Sequence, residues 1–315
     1  MAPSVSWVPG LLALALTLAA LLALAPAASA DSLQGQAPSA AAPANPASPR
    51  AATAPVYFPL LASNLRSASA PPGVGPFQGV GRRVTWEEDP RFGEVLTCSK
   101  DEESYVQIPG LQYGQSSGFA VALWAMLEPS GEGFLQYMYS HNGLDTDLAY
   151  GPNAVALYAP EQDHPNFGVV RAMVRDATDV IPDGDIPMFL DSNGCIADPT
   201  CTVPGYKSLF SPNGSWHLLA LGTQPQGGKG FRLYVDGQLA ASVSGQTDVE
   251  SLGSVVTGGG PMNLTGNVTL CGRSDLDPLR FFTGSLAHLF IWNRSVTEEE
   301  MRQLFEAEPQ PGLSG

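Results

Sequence analysis

Only a few groupings of reactive side chains in this chain could support chemistry. Gly114-Gln-Ser116-Ser-Gly118 fits the spacing of a serine-hydrolase elbow. That motif requires a strand before it and a helix after it, so that the serine is exposed on a strained turn. Here the following segment, Phe119-Ala-Val-Ala-Leu-Trp-Ala-Met-Leu127, alternates like a strand, so the motif reads as a turn. His141, His164, His217 and His288 are far apart and none accompanies a nucleophile signature; His217 and His288 fall in strand-like segments and are expected to be packed. Glu87-Glu88-Asp89 concentrates carboxyls but does not alternate them, and it runs into Pro90. The chain is therefore expected not to be an enzyme.

The remaining reactive groups are covalent-modification candidates. Cys98, Cys195, Cys201 and Cys271 make an even set with three possible pairings. Cys195 and Cys201 bracket a short loop containing Asp198-Pro199 that a local bridge closes easily, which leaves Cys98 for Cys271. Zinc binding is the competing reading, but the spacing matches no common finger. Four Asn-x-Ser/Thr sequons, at Asn213, Asn263, Asn267 and Asn293, are candidate N-glycosylation sites and so are expected at the surface.

Disulfides persist in an oxidising compartment, sequons are used in secreted chains, and the N-terminus is consistent with secretion. Leu11 to Ala25 is an apolar run broken by Pro26 and followed by Ala28-Ser29-Ala30, the layout of a signal peptide over residues 1–30. No Lys or Arg precedes the run, so an uncleaved anchor is the alternative, but the run is shorter than the ~20 residues that span a bilayer. Residues 31–55 are almost wholly Ala, Pro and Ser; they carry too little apolar surface to offset ordering entropy and read as a disordered tether open to O-glycosylation. Residues 56–309 read as one domain, and 310–315 as a disordered tail. With 15 Lys and Arg against 30 Asp and Glu, the net charge of −15 repels phosphate backbones and excludes nucleic acid as a natural partner. The same excess favours cations or serves solubility.

Within 56–309 the hydrophobic period is two. Phe119, Val121, Leu123 and Leu127 share one strand face, and Trp124 and Met126 share the other. Phe231 to Val235 runs into Asp236-Gly237, the strongest short hairpin signal, and Gln238 to Val243 returns. Further strands are expected at Val56–Leu61, Glu94–Cys98, Tyr105–Ile108, Ala154–Tyr158, Val169–Val174, Trp216–Leu221, Val268–Cys271 and Leu286–Trp292. Thr297-Glu-Glu-Glu300 is a capping box, and Met301, Leu304 and Phe305 form the stripe of one short C-terminal helix. The fold class is all-β: a two-sheet antiparallel sandwich with that helix seated on it.

The order of segments resembles the laminin-G and pentraxin-like branch of the concanavalin A-like jelly rolls. Ser104-Tyr-Val-Gln-Ile-Pro109, Phe119–Leu127, Trp216-His217 with Tyr234-Val-Asp236-Gly237, and Phe282-Thr-Gly284 through Trp292 to Met301 carry the resemblance. It implies a calcium site at the sandwich rim, where ~6–8 oxygens from two loops meet. The corresponding loops here are Ser140-His-Asn142-Gly-Leu-Asp145-Thr-Asp147 to Asn153, and Arg273-Ser-Asp275-Leu-Asp277; Asp145, Asp147, Asn153, Asp275 and Asp277 are the implied ligands. Pro152 stands where pentraxins carry Asp, and their acidic second loop is not reproduced. The Glu-x-Asp-x-Glu strand of related glycosidases is also missing. Tyr137, Tyr139, Tyr150 and Trp86 are the aromatic candidates for stacking on a sugar, with core packing as the competing reading. The long connection from Ala159 to Ser211, with its cysteine loop, is either a binding excursion or a stapled structural one. The expected function is recognition of a glycan or extracellular glycoprotein, with calcium assistance; a structural matrix or cell-wall component is the alternative, and a glycoside hydrolase the least favoured.

Overall fold

The computed structural model describes residues 55–62, 64–70, 75–112, 118–128, 135–142, 154–160, 169–175, 188–191, 214–223, 230–244, 246–249, 254–257 and 264–307. Seventeen strands occur there in chain order: β1 (Val56–Phe58), β2 (Val80–Arg82), β3 (Thr85–Asp89), β4 (Gly93–Cys98), β5 (Tyr105–Ile108), β6 (Ala120–Leu127), β7 (Leu135–Asn142), β8 (Ala154–Pro160), β9 (Arg171–Arg175), β10 (Met188–Asp191), β11 (Trp216–Thr223), β12 (Gly230–Val235), β13 (Gln238–Ser244), β14 (Gln246–Val249), β15 (Ser254–Thr257), β16 (Val268–Leu270) and β17 (Gly284–Trp292). Helix α1 (Glu298–Ala307) follows them.

Two antiparallel sheets form the sandwich. The first runs β13-β12-β11-β6-β17-β4-β3, and β1 pairs with the second half of β17, where β4 no longer reaches. The second runs β10-β9-β8-β7-β16-β5-β2, and β14 with β15 makes a separate hairpin. Alternation decides which side chains enter the layer between the sheets. Val121, Leu123, Ala125 and Leu127 of β6 enter it beside Leu219, Leu221, Leu233 and Leu286, and meet Val106, Tyr139, Val155, Leu157, Val174 and Leu270 of the second sheet. Fully burying an aliphatic or aromatic side chain of this size stabilises by about 1.5–3 kcal/mol, so this layer is the main driving force.

The first sheet is apolar on its other face as well. Ala122, Trp124, Leu218, Ala220, Tyr234, Phe290 and Trp292 form a second cluster, capped by Met301, Leu304 and Phe305 of α1 and by Phe92. The Phe305 and Trp124 rings stack with centroids 5.5 Å apart, and the Arg91 guanidinium lies 3.9 Å from the Trp124 ring centroid. Helix α1 starts as its capping box requires. Glu300 N donates to Thr297 Oγ1 at 3.2 Å, and Thr297 N donates to Glu300 Oε2 at 2.8 Å. The Asp236-Gly237 turn packs against this helix so closely that a Cβ on Gly237 would lie 2.9 Å from Arg302 Cα. Only glycine fits both that gap and the positive φ of the turn.

Two strands carry a bulge that simple alternation does not foresee. In β17 the register shifts between Ala287 and Leu289, and His288 is the extra residue, with φ of 49°. The shift keeps Leu286, Leu289 and Ile291 on the inner face and Ala287, Phe290 and Trp292 on the outer one. In β7 the shift at Met138 sends Tyr137 outward and Tyr139 inward. Strand β7 itself is a correction: Ser140, His141 and Asn142 were expected to begin a metal-binding loop, but they pair with β8 and β16. Their polarity hid a strand whose neighbours on both sides are hydrogen-bonded.

A disulfide joins Cys98, at the end of β4 in the first sheet, to Cys271, just after β16 in the second. Both cysteines are buried in the layer between the sheets, as the pairing by elimination anticipated. The Cys195–Cys201 pair lies outside the described residues. The bridge spans 173 residues, and a loop of that length gives about 5 kcal/mol of stabilisation on a chain-entropy estimate. The double variant Cys98→Ala/Cys271→Ala is expected to lower unfolding free energy by about 3–5 kcal/mol, measured by denaturant titration of the full chain.

Candidate functional site

The chain leaves β16 at Leu270 and turns back toward β17 through residues 271–283. The base of this turn is tightly held. Cys271 N donates to Met138 O at 3.2 Å, Phe282 N donates to Cys271 O at 3.0 Å, and the disulfide ties Cys271 to the other sheet. Gly272 permits the next step, since a Cβ there would lie 2.9 Å from the Phe281 ring. Ser274 is anchored to β7: its N donates to Ser140 Oγ at 3.2 Å, and the two hydroxyls also share a hydrogen bond.

Arg273 organises the rest of the turn. Its Nε donates to Asp275 Oδ1 at 2.8 Å and its Nη2 to Asp275 Oδ2 at 2.7 Å, a bidentate grip. The same Nη2 donates to Asp277 Oδ2 at 2.8 Å. Asp277 Oδ1 in turn accepts from Leu279 N at 2.9 Å and caps the short 3-10 turn Pro278–Arg280. The Arg273 side chain is 9% exposed, against 21% for Asp275 and 27% for Asp277. A buried guanidinium therefore presents two carboxylates side by side at the surface. Leu279, on the same turn, is one of the exposed large apolar residues at 51%. Each carboxylate has roughly four acceptor positions, and the contacts named here use only part of them.

The residues expected to bind calcium separate into two groups. Asp145, Asp147 and Asn153 lie outside the described residues. Asp275 and Asp277 do come together, but around Arg273, whose guanidinium sits where a cation would have to bridge them. No group of three or more His, Cys, Asp or Glu side chains is placed to hold a metal ion among the described residues. Sequence reasoning treated the carboxylates as ligands and overlooked the arginine. The signal was present in the alternation Arg273-x-Asp275-x-Asp277, which in a tight turn pairs charges more readily than it opens them to solvent.

The described aromatic and histidine candidates are packed. Tyr137 and Tyr139 are fully buried; Tyr139 fills the layer between the sheets, and Tyr137 stacks on Tyr158 at 4.6 Å on the outer side of the second sheet. Trp86 packs partly buried against the inter-sheet core, and Tyr150 lies outside the described residues. Gly118 has φ of +81° and leads directly into β6, so strand follows the Gly-x-Ser-x-Gly run where an elbow needs a helix; residues 113–117 lie outside the described set. Glu87 and Glu88 are exposed on the edge strand β3. Asp89 is a structural carboxylate: Oδ1 accepts from Arg91 N and Phe92 N, and Oδ2 accepts from Trp216 Nε1 at 2.8 Å. His217 Nδ1 lies 2.8 Å from Asp236 Oδ2, and Leu218 N donates to Asp236 Oδ1, so this pair braces the hairpin turn. His288 packs edge-on against Tyr57 and Phe92, and His164 lies outside the described residues. Of the sequon asparagines, Asn267 and Asn293 are exposed, while Asn213 and Asn263 lie outside the described residues.

This architecture is a two-sheet antiparallel β-sandwich with one short helix. Residues 205–302 match the Laminin_G_3 family model, described as the concanavalin A-like lectin/glucanases superfamily, and over that stretch the resemblance read from the sequence is borne out. A curated relative, the Sushi, von Willebrand factor type A, EGF and pentraxin domain-containing protein 1 of Rattus norvegicus, is 29% identical over 98 residues, 31% of this chain and 3% of that protein. The binding domain of Paraclostridial Mosquitocidal Protein 1 superposes with a TM-score of 0.51 at 12% identity, covering 81% of this chain and 52% of that one. The binding domain of botulinum neurotoxin serotype D gives 0.50 at 10% identity, covering 82% and 51%. The chain thus spans about half the length of these two structures and a small fraction of the curated relative, and at such identities the likeness is one of fold.

One buried histidine near the turn gives a direct pH test. His141 Nε2 lies 3.0 Å from Gly266 O, which can only accept, so Nε2 carries the proton. Burial pulls the His141 pKa down to about 3, with the Gly266 hydrogen bond opposing. The unfolded histidine binds a proton near pH 6.5, so below that value the unfolded state takes up more protons and stability falls. Between about pH 6 and 4 the His141 contribution to unfolding free energy should fall with a slope approaching 1.4 kcal/mol per pH unit. Denaturant titrations at several pH values should show a shallower slope for His141→Phe than for the wild type.

Proposed function

We propose that this chain is a secreted, non-catalytic recognition module that takes a neutral glycan, free or on an extracellular glycoprotein, at the rim turn between β16 and β17. The observation that carries the reading is the pair of partly exposed carboxylates of Asp275 and Asp277, held side by side by the buried Arg273 guanidinium. Sugar hydroxyls donate well to preorganised carboxylates, and a fixed pair can accept from neighbouring hydroxyls of one ring. The exposed Leu279 offers an apolar contact for the C–H face of that ring. The layer between the sheets and the outer face of the first sheet are both filled by packed side chains, which favours the end loops as recognition surface. A net charge of −15 disfavours sulfated or phosphorylated glycans and points to neutral ones. The binding domains named above are built on the same sandwich, which makes a binding role natural for this one.

Binding of the full chain to a printed panel of neutral, sialylated and sulfated glycans is expected to select neutral members. Asp275→Asn is expected to weaken the selected interaction about tenfold, close to the value of one charge-assisted hydrogen bond. Arg273 would keep Asp277, and near-unchanged circular dichroism would separate lost recognition from lost fold. Selection of sulfated glycans alone, or unchanged affinity in Asp275→Asn, would remove the reading.

Calcium assistance is a separate part of the proposal, because the cation would have to draw Asp275 and Asp277 away from Arg273 with help from Asp145, Asp147 or Asn153. A ligand that prefers the folded state must raise its melting midpoint. Midpoints should therefore rise with millimolar calcium and return with chelator; no movement removes calcium and leaves the glycan reading intact.

A further inference from the structure

Thr269 lies in the middle of β16, which pairs with β5 on one side and β7 on the other. Its side chain is fully buried, and Thr269 Oγ1 has no hydrogen-bond partner among the described residues. Burying an unpaired hydroxyl is unfavourable, and valine has the same shape and equal affinity for strands without that penalty. The fold therefore gives no reason for a hydroxyl at this position. Two residues earlier stands Asn267, exposed in the bend that leads into β16, and Asn267-Val268-Thr269 is a sequon.

The sequon at Asn293 makes a useful contrast. Its hydroxyl residue, Ser295, is employed by the fold: Ser295 Oγ and Thr223 Oγ1 share a hydrogen bond at 2.9 Å. A serine there is explained without any modification, whereas the Thr269 hydroxyl has no such employment among the described residues and its place in the sequon supplies one.

We infer that Asn267 carries an N-linked glycan, and that Thr269 is retained for its hydroxyl as part of the acceptor signal, used before β16 enters the sheet. In the transfer, the Asn267 amide nitrogen bonds to C1 of a lipid-diphosphate-linked oligosaccharide. The C1–O bond to the diphosphate breaks, the lipid diphosphate leaves with the electron pair, and the amide gives up one proton. In the folded chain the Thr269 hydroxyl is out of reach, because β16 is a central strand. Cys271 is two residues further on, so closing the bridge to Cys98 also fixes this segment. Transfer must precede both events. Once attached, the glycan lies on the exposed bend, whose neighbour Gly266 is pinned by its N to Asn142 O at 2.9 Å and by its O to His141.

The inference rests on the secretory part of the proposed function, and the test separates the two. The full chain is expressed in secreting eukaryotic cells, and whole-cell and medium fractions are treated with an amidase that converts each glycosylated Asn to Asp, read by peptide mass spectrometry. Asn267 should convert in the wild type and in Thr269→Ser, and stay Asn in Thr269→Val. After glycan removal, Thr269→Val should melt no lower than the wild type. In Cys98→Ser, occupancy at Asn267 should equal or exceed that of the wild type. Asn267 left bare while other sequons convert overturns this assignment alone; all four left bare overturns the secretory reading with it. A lower midpoint for deglycosylated Thr269→Val would show that the hydroxyl serves the fold, and reduced occupancy in Cys98→Ser would place transfer after bridge closure. Either result refutes the corresponding part of the inference.

Discussion

Strand β6 is buried on both faces, and most of the architecture is a response to that fact. Its inner side chains need a second sheet, and its outer ones, Trp124 above all, need a second cover. The second sheet satisfies the first requirement; α1, Phe92 and the Arg91 guanidinium satisfy the other. A sheet that is apolar on both sides cannot leave either one in water without exposing a large patch, so the C-terminal helix is as much a part of the core as any strand. The Asp236-Gly237 turn shows how closely the parts are fitted, because its missing Cβ is the space the helix backbone occupies.

The polar residues divide along the same line. Where a charged or ring side chain meets the double-faced sheet, it becomes a brace: Asp89 holds Trp216, and Asp236 holds His217 and the backbone of Leu218. Where the chain leaves the second sheet, polar groups are arranged differently. Arg273 is buried but its two carboxylates are not, and Ser140, Cys271 and Phe282 hold the turn in place. Preorganisation of that kind is useful to a binding surface, since the groups that would meet a ligand lose little freedom on binding. The bridge between Cys98 and Cys271 links both regions, joining the sheets directly beneath the turn.

The fold class was legible because burial writes its own period into the chain. Alternation at Phe119–Leu127, the Asp-Gly turn and the capping box at Thr297 are local signals, and each appears in the structure with the geometry its chemistry requires. Strand β7 was not legible, because Gln136, Ser140, His141 and Asn142 look like a loop until β8 and β16 are placed beside them. Short edge strands such as β2, with all three residues exposed, lack an apolar face and leave no pattern to read.

From its sequence alone, this chain determined two-sided burial, antiparallel pairing and one terminal helix. Those follow from the spacing of neighbours along the chain, since side-chain period and turn chemistry are local properties. Only the tertiary structure decided what the polar groups do. Whether Asp275 and Asp277 face a cation or a guanidinium, and whether the Thr269 and Ser295 hydroxyls find partners, depends on residues brought together from distant strands. Hydrogen bonds and charge pairs act over a few ångströms, and which groups come that close is settled only when the two sheets close on each other.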